Sequence, residues 1–200
     1  MATRTKTRIR ASRQESRDRI VTAATDLIRA TPYAALTVDD VMREAGFGRT
    51  IFYRHFDDLE DLLMRAGREA FGELLELERA LSEAAAGGDE RDVVRAAIEP
   101  AVAVYERHGP LLRAIAEAAA AGDERIAAGR EAWRERFNEL VAGVLRDRVS
   151  GDVAETARAL NLMNENYLLE AFGSSPRMPA ETAVATLTAI WAAVMGGGSD

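Results

Sequence analysis

Between Leu36 and Phe56 the chain crowds two helix starts, a glycine turn and an aromatic cluster into one short segment. Thr37 stands before Val38-Asp39-Asp40-Val41, where its hydroxyl can cap, the two carboxylates meet the positive first turn, and Leu36 can staple onto Val41. That helix can run only to Ala45, because Gly46-Phe47-Gly48 supplies a tight turn. Thr50 to Phe56 reads as a second short helix, crowded by Ile51, Phe52 and Phe56. Two short helices across a glycine turn form the helix-turn-helix pattern, and the remaining chain must fold around it.

The remaining chain is helical by composition and period. Alanine makes up 38 of 200 residues, Lys6 is the only lysine beside many arginines, and no stretch alternates β-branched residues with a period of two. The fold class is therefore all-α, with about nine helices. Ile20, Ala24, Leu27 and Ile28 share a face of a first helix over about 14–30, stopped before Pro32. Asp57-Asp58 caps a helix over about 59–84, which ends at an Ala86-Gly87-Gly88 hinge. Further helices are expected near 90–107, 110–121, 124–149, 153–172 and 180–195, started by Pro110, Asp123, an Asp152/Glu155 capping box and Pro179. Pro100 should kink its helix by removing one backbone hydrogen bond. The organisation expected is a disordered basic arm (1–13), a helix-turn-helix unit (14–57), a larger helical domain (58–195) and a disordered tail (196–200).

The formal net charge is -7, yet residues 1–56 hold eleven Arg or Lys against six Asp or Glu, and residues 57–200 hold fifteen against twenty-seven. The first unit is thus basic enough to approach nucleic acid, while the second is acidic. Cysteine is absent, and His55 and His108 stand far apart. No disulfide, thiolate metal site or cysteine nucleophile is available, and neither a metal nor a cofactor is expected. No apolar run approaches the roughly 18 residues of a membrane span, and no apolar stretch follows the basic N-terminus; a cytoplasmic protein with no membrane partner is expected. Catalysis has little to work with: there is no glycine-rich phosphate loop or Ser/His/Asp constellation, and Glu165 is the one plausible acid.

Leu36-Thr37-Val38, Ala45-Gly46-Phe47, Phe52-Tyr53-Arg54-His55-Phe56 and Leu62 together resemble the N-terminal signature of TetR-family transcriptional regulators. The resemblance implies a ligand-responsive DNA-binding regulator, with Thr37, Arg49, Thr50, Tyr53 and His55 facing double-stranded operator DNA. Arg49 suits a bidentate pair with guanine or a phosphate, Thr50 a base or phosphate, and Thr37, Tyr53 and His55 phosphates. Gly48 departs from the family's Ser/Thr, and Leu59 from a phosphate-binding Lys. The basic arm, lying along phosphates or in a minor groove, would compensate.

In the second unit Asn161 and Asn164 fall on one helical stripe with Ala157, Leu168 and Phe172, so both amides should face an apolar interior and need partners. Neighbouring helices, each other or a ligand could supply them. Trp133, Phe137, Leu140 and Val144 recur at heptad-like spacing, with Tyr105 and Trp191 as further aromatic surfaces. Core packing and the wall of an apolar pocket are both compatible with that spacing. Ala159 to Glu165, reading ALNLMNE, resembles the eighth helix of the ethionamide-resistance subgroup of the same family. That resemblance implies a pocket for a small apolar effector lined by Tyr105, Trp133, Phe137, Asn161, Asn164 and Trp191, with Val94 and Leu140 in place of two tryptophans. It also implies a homodimer through the last two helices, where Ala183, Val184, Leu187, Ile190, Trp191 and Val194 offer more apolar surface than one neighbour would bury. The symmetric dimer would act as a repressor on a palindromic operator. The alternatives are a helical protein-binding adaptor without sequence-specific DNA binding and an enzyme using Glu165.

Overall fold

The computed structural model of the chain describes residues 2–85, 90–146 and 148–196. Within them nine α-helices follow one another: α1 (Ala2–Ala30), α2 (Val38–Ala45), α3 (Arg49–Phe52), α4 (Leu59–Ala66), α5 (Arg68–Ala85), α6 (Glu90–Ala120), α7 (Glu124–Leu145), α8 (Val153–Phe172) and α9 (Ala180–Gly196), with one 3-10 turn at Tyr33–Ala35. No described helix is long and apolar enough to cross a membrane. The proposed hinge at 86–88 and the tail beyond Gly196 lie outside the described residues.

The caps read from the sequence are formed. Thr37 accepts from the Asp40 amide, Asp58 from Asp61 and Asp123 from Ile126. Asp152 accepts from both Ala154 and Glu155. The expected return half of that last box is absent: the Glu155 carboxylate pairs instead with Arg158 at 3.1 Å. Each cap satisfies amides that have no partner inside the helix.

Five boundaries differ from expectation. The second short helix, expected to reach Phe56, closes at Phe52, and the helix expected to reach 149 closes at Leu145. Helix α1 begins at Ala2 and runs through the stretch expected to be a disordered arm. Its buried half, from Ile20 to Ile28, supplies the costly nucleus, after which Ala- and Arg-containing residues extend the helix at little further cost. The single helix expected over 59–84 is interrupted at Gly67. A side chain there would come within 2.8 Å of Ile115 Cδ1, so glycine admits the close approach of α6. The two helices expected on either side of Pro110 are one, α6, with Pro100 and Pro110 both inside it.

Pro110 is tolerated for a visible reason. Having no N–H, it leaves the carbonyl four residues back, that of Glu106, without its helical partner, and Arg177 Nη1 donates to this carbonyl at 3.0 Å. Gly109, just before it, brings α6 against the backbone of α8. A Cβ at Gly109 would lie 2.3 Å from the Phe172 carbonyl oxygen and 2.9 Å from Phe172 Cβ.

Helix α6 takes part in every apolar core of the described residues. Its C-terminal half sends Leu111, Ile115 and Ala118 into the first core, with Ile20, Ala24, Val41, Phe52, Phe56, Leu62 and Leu63 of α1 to α4 and Ile126 of α7. Its N-terminal half sends Val94, Ile98 and Val102 into a second core, with Val141 and Leu145 of α7, Leu160, Leu168 and Phe172 of α8, and Leu187 and Trp191 of α9. Val104 and Leu112 meet Ala70 and Leu74 of α5 in a smaller third core. At 1.5 Å per residue α6 is about 46 Å long, enough to join these cores end to end.

Replacing a helical glycine by alanine ordinarily stabilises, by roughly 1 kcal/mol. Gly109→Ala should reverse that sign and cost about 1–3 kcal/mol, because α6 and α8 must move apart to admit the methyl group. Urea denaturation followed by circular dichroism measures it; a midpoint raised by the substitution would contradict the close α6–α8 approach.

Candidate nucleic-acid interface and ligand pocket

The glycine turn of the helix-turn-helix is built as its sequence suggests, while α3 is only Arg49–Phe52 and a turn carries the chain on to Phe56. Gly46 takes the left-handed conformation (φ 71°) and its amide closes α2 onto the Met42 and Arg43 carbonyls. Arg19 of α1 secures the turn: Nη2 donates to the Ala45 carbonyl at 2.8 Å, and the guanidinium lies 4.4 Å from the centre of the Phe47 ring. Gly48 is the N-cap of α3 and offers no side-chain cap. Phe52 and Phe56 are fully buried, their rings 5.4 Å apart, which anchors α3 and turns the neighbouring positions outward.

Thr37, Arg49, Thr50 and Tyr53 are exposed on that outer surface, Tyr53 to 52%. Arg49 Nη1 meets Asp39 at 3.3 Å, Nη2 donates to the Tyr53 hydroxyl at 3.2 Å, and the guanidinium lies 5.7 Å from that ring's centre. These solvent-screened contacts pre-position Arg49 at small cost to release. The Thr37 hydroxyl is already engaged, donating to the Asp40 carboxylate at 2.5 Å.

His55 differs from its expected role. The Ser16 hydroxyl has one proton and donates it to the Arg13 carbonyl at 2.9 Å, so at its 2.9 Å contact with His55 Nε2 it must accept. The expected phosphate-binding N–H is thus committed to α1 in this conformation. Burial, then the positive charges of Arg13, Arg17, Arg54 and Arg65, hold the imidazole below its ordinary pKa, hence neutral near pH 7. The cations around it are what sequence reasoning missed. Arg13 Nη2 donates to the Arg54 carbonyl at 3.0 Å, placing α1 beside the end of α3. At 100° per residue, Arg13 and Arg17 continue the helix face that carries Ile20 and Ala24 into the core.

All six residues expected to bind a ligand line one cavity of about 150 Å³, between α5, α6, α7, α8 and α9. Trp133 and Phe137 stack along its wall with centroids 5.6 Å apart, and Ile98, Leu74 and Val141 add apolar surface. The asparagines have partners within the protein. Asn161 Nδ2 donates to Asn138 Oδ1 at 2.7 Å, while its own Oδ1 is buried without a partner. Trp191 Nε1 donates to Asn164 Oδ1 at 3.1 Å. An indole can only donate, so this contact fixes the amide: the Asn164 carbonyl faces Trp191 and its NH2 is left for something else. The Tyr105 hydroxyl likewise makes no hydrogen bond among the described residues; burial, then the negative charge of Glu165, push its pKa up and keep it a donor.

Glu165, the one carboxylate with a conceivable catalytic role, is locked. Arg130 holds one oxygen, and Arg134 Nε the other at 2.8 Å. Burial alone would raise its pKa, but the two guanidiniums outweigh burial and hold it below the usual carboxylate range. A carboxylate held ionised at neutral pH has no proton to donate as a general acid. Arg130 and Arg134 were not singled out in the sequence; tertiary pairing with α8 reveals them.

On α9 the subunit buries more than expected. Ala183, Leu187 and Trp191 are covered by the second core, Val184 and Val194 are half-buried, and Ile190 is 37% exposed. The outer stripe is Ala185, Ala189, Ile190 and Ala193, and the neighbouring α8 leaves Ala159 exposed with Leu162 and Met163 half-exposed.

Comparison with known proteins agrees with this two-part geometry. Residues 20–66 match the family model described as bacterial regulatory proteins, tetR family, and residues 94–197 match that of the transcriptional regulator EthR, C-terminal domain. The HTH-type transcriptional regulator EthR of Mycobacterium tuberculosis H37Rv is 29% identical, over 91% of this chain and 89% of its own. EthR of Mycolicibacterium smegmatis is 28% identical over 94% and 91%. Among solved structures, a transcriptional regulator from Rhodococcus sp. RHA1 superposes with a TM-score of 0.69 at 23% identity (92% and 98% covered), and PfmR from Thermus thermophilus with 0.68 at 21% (90% and 98%). At these identities the structures speak for the fold.

Nothing lies within 4 Å of a Cβ built on Gly48, whose backbone is extended (φ -81°, ψ 154°). Gly48→Ser should therefore supply the missing cap of α3 and stabilise by about 0.3–1 kcal/mol. Thermal unfolding of the two proteins side by side checks it: a lower melting temperature for the serine variant would mean that the position is not open.

Proposed function

The chain belongs to the TetR family of bacterial transcriptional regulators, in its EthR branch, and on that premise we propose that it is a homodimeric, cytoplasmic repressor released from a palindromic operator by a small effector bound among α5 to α9. As a DNA-binding regulator it has no catalytic cycle to explain. The observation that carries the fuller reading is the sharing of α6 and α7 between the core behind the recognition helix and the core around the cavity.

DNA recognition falls to the exposed face of α3. Arg49 and Thr50 stand where a helix entering the major groove meets base edges, with Tyr53 one turn on to fix the register on phosphate. Thr37 contributes the N-terminal end of α2, whose amides favour an anion. Arg13, Arg17 and Arg54 form a cationic margin beside α3. Cations carried on a helix favour a helical contact with phosphates over a flexible arm in a minor groove. His55 serves through its bond to Ser16, as a brace between α1 and the segment after α3.

Dimerisation is supported by the small-residue stripe of α9 and the half-exposed Leu162 and Met163 of α8, which a second copy would cover about a two-fold axis. Effector binding is supported by the cavity itself and by donors on its wall that have no acceptor among the described residues, the Tyr105 hydroxyl and Asn164 Nδ2 among them. An effector changes DNA affinity only by its unequal affinity for the two dimer forms. A cavity built from α6 and α7 is suited to that role, since filling it must bear on helices that also support the reading head.

Arg49→Ala with Tyr53→Ala should abolish the selective gel shift on the DNA flanking the gene, while gel filtration still shows a dimer. The wild-type protein should lose affinity linearly in log salt, with a slope of about -0.9 for each phosphate engaged. Selective binding that survives both substitutions would refute the assignment of the reading face, and a slope near zero would refute DNA binding through phosphates.

A further inference from the structure

Asp39 is an acid on a face that must approach a polyanion. It lies in the first turn of α2 with its side chain 65% exposed, and its carboxylate reaches across to Arg49 of α3 at 3.3 Å. Left unpaired there, a carboxylate would be repelled by DNA. An acid in a first turn does stabilise its own helix, but Asp40 already fills that place, accepting from Thr37 and from Arg43. Arg49 is the one side chain that Asp39 bonds among the described residues.

Arg49 is held from both sides. Nη1 donates to Asp39, and Nη2 donates to the Tyr53 hydroxyl at 3.2 Å. An arginine has more N–H donors than these two contacts use, and those left over suffice for the bidentate pair that a guanine edge accepts. The Tyr53 hydroxyl accepts from Arg49, so its own proton stays free for a phosphate.

The carboxylate changes what this arginine is suited to. Paired with Asp39, the guanidinium presents almost no net charge and draws phosphates weakly, yet its donors keep their directions. Phosphate attraction depends on net charge, whereas base recognition depends on directed donors. In the free protein the pair is screened by solvent and weak. Docking displaces the screening water and strengthens the same contact, so DNA tightens the arrangement.

We propose that Asp39 is a positioning residue for sequence specificity, which withholds Arg49 from phosphates and aims it at a guanine edge. This rests on the exposed face of α3 being the surface that reads DNA. Non-specific DNA offers phosphates without the matching guanine, and against it the carboxylate is a repulsive element. Asp39 thus lowers affinity for wrong sequences and widens the gap to the right one.

The test measures discrimination and salt dependence together. The full-length protein selects its preferred duplex from random double-stranded DNA. Fluorescence anisotropy then gives Kd for that duplex, its single-base variants and an unselected duplex, each over a range of salt. Arg49→Ala identifies the guanine that Arg49 reads, as the position whose preference is lost, and the wild type should favour that guanine by about tenfold or more. Asp39→Asn should cut this preference by at least about threefold, raise affinity for the unselected duplex, and steepen the salt slope by about 0.9, equivalent to one more phosphate. Asp39→Glu should restore part of the preference, and Asp39→Asn added to Arg49→Ala should change discrimination no further. Three results would overturn the inference and leave the reading face in place: no guanine preference lost in Arg49→Ala, an Asp39→Asn protein that keeps both preference and slope, or one that weakens on all duplexes alike. A preference lost at a cytosine that Arg49→Ala leaves untouched would also overturn it, since Asp39 would then read a base itself. A wild-type protein that selects no sequence would overturn both.

Discussion

Everything in this fold hangs on α6 being buried along its whole length against different partners at its two ends. A helix whose apolar positions all faced one core could be displaced without consequence elsewhere. Here Ile98 and Val102 are fixed among α7, α8 and α9, while Leu111, Ile115 and Ala118 are fixed among the helices of the reading head. Close-packed interiors transmit displacement instead of absorbing it. The midpoint is the tightest place, where Gly109 lets α6 touch the Phe172 backbone. Beside it, Pro110 weakens the helix by one hydrogen bond, and the freed Glu106 carbonyl is taken by Arg177 from the segment between α8 and α9. The shaft is therefore locally soft at the point where the effector domain holds it most closely.

Helix α7 provides a second connection of a different kind. Asp58 caps α4 and Asp123 caps α7, and Arg125 donates to both carboxylates, at 2.8 and 3.1 Å. The start of a cavity helix is thus tied to the start of a reading-head helix by one guanidinium. Asp123 is held below the usual carboxylate range, first by the Ile126 amide, so the tie persists through ordinary pH. Tyr33, donating to Glu60 at 2.5 Å, closes the same corner from the 3-10 turn. The reading head and the effector domain meet through these groups and α6, not across a loose linker.

How much of this could be read from residues alone divides along a physical line. Features set by neighbours in sequence were legible: the Thr37, Asp58, Asp123 and Asp152 caps, the left-handed turn at Gly46, and the inward stripe of Phe52 and Phe56. The cavity wall was legible too, because Tyr105, Trp133, Phe137, Asn161, Asn164 and Trp191 were picked by periodicity together with family resemblance. What failed depended on distant partners. A sequence does not say that Arg177 will reach the carbonyl Pro110 frees, so α6 looked like two helices. The first thirteen residues looked unable to order themselves because the helix behind them, already nucleated, was not counted in their favour. Nothing in the sequence singled out Arg130 and Arg134, because Glu165 lies a helix away.

The uneven charge of the chain acquires a mechanical sense in this light. The first 56 residues carry a positive excess, of which Arg13, Arg17 and Arg54 lie beside the end of α3, and the acidic remainder is repelled from the same polyanion. Electrostatics alone therefore presents the reading head to DNA and turns the effector domain away. Orientation set by long-range charge does not itself discriminate sequences; in the function proposed above, that is left to Arg49, Thr50 and Tyr53 and to the spacing between two copies of α3. Spacing is the one property that α6 and α7 can alter without touching the face that reads. A cavity between those helices is thus better placed to regulate than one beside the recognition helix, since its occupant changes geometry while the charges that bring the protein to DNA stay as they were.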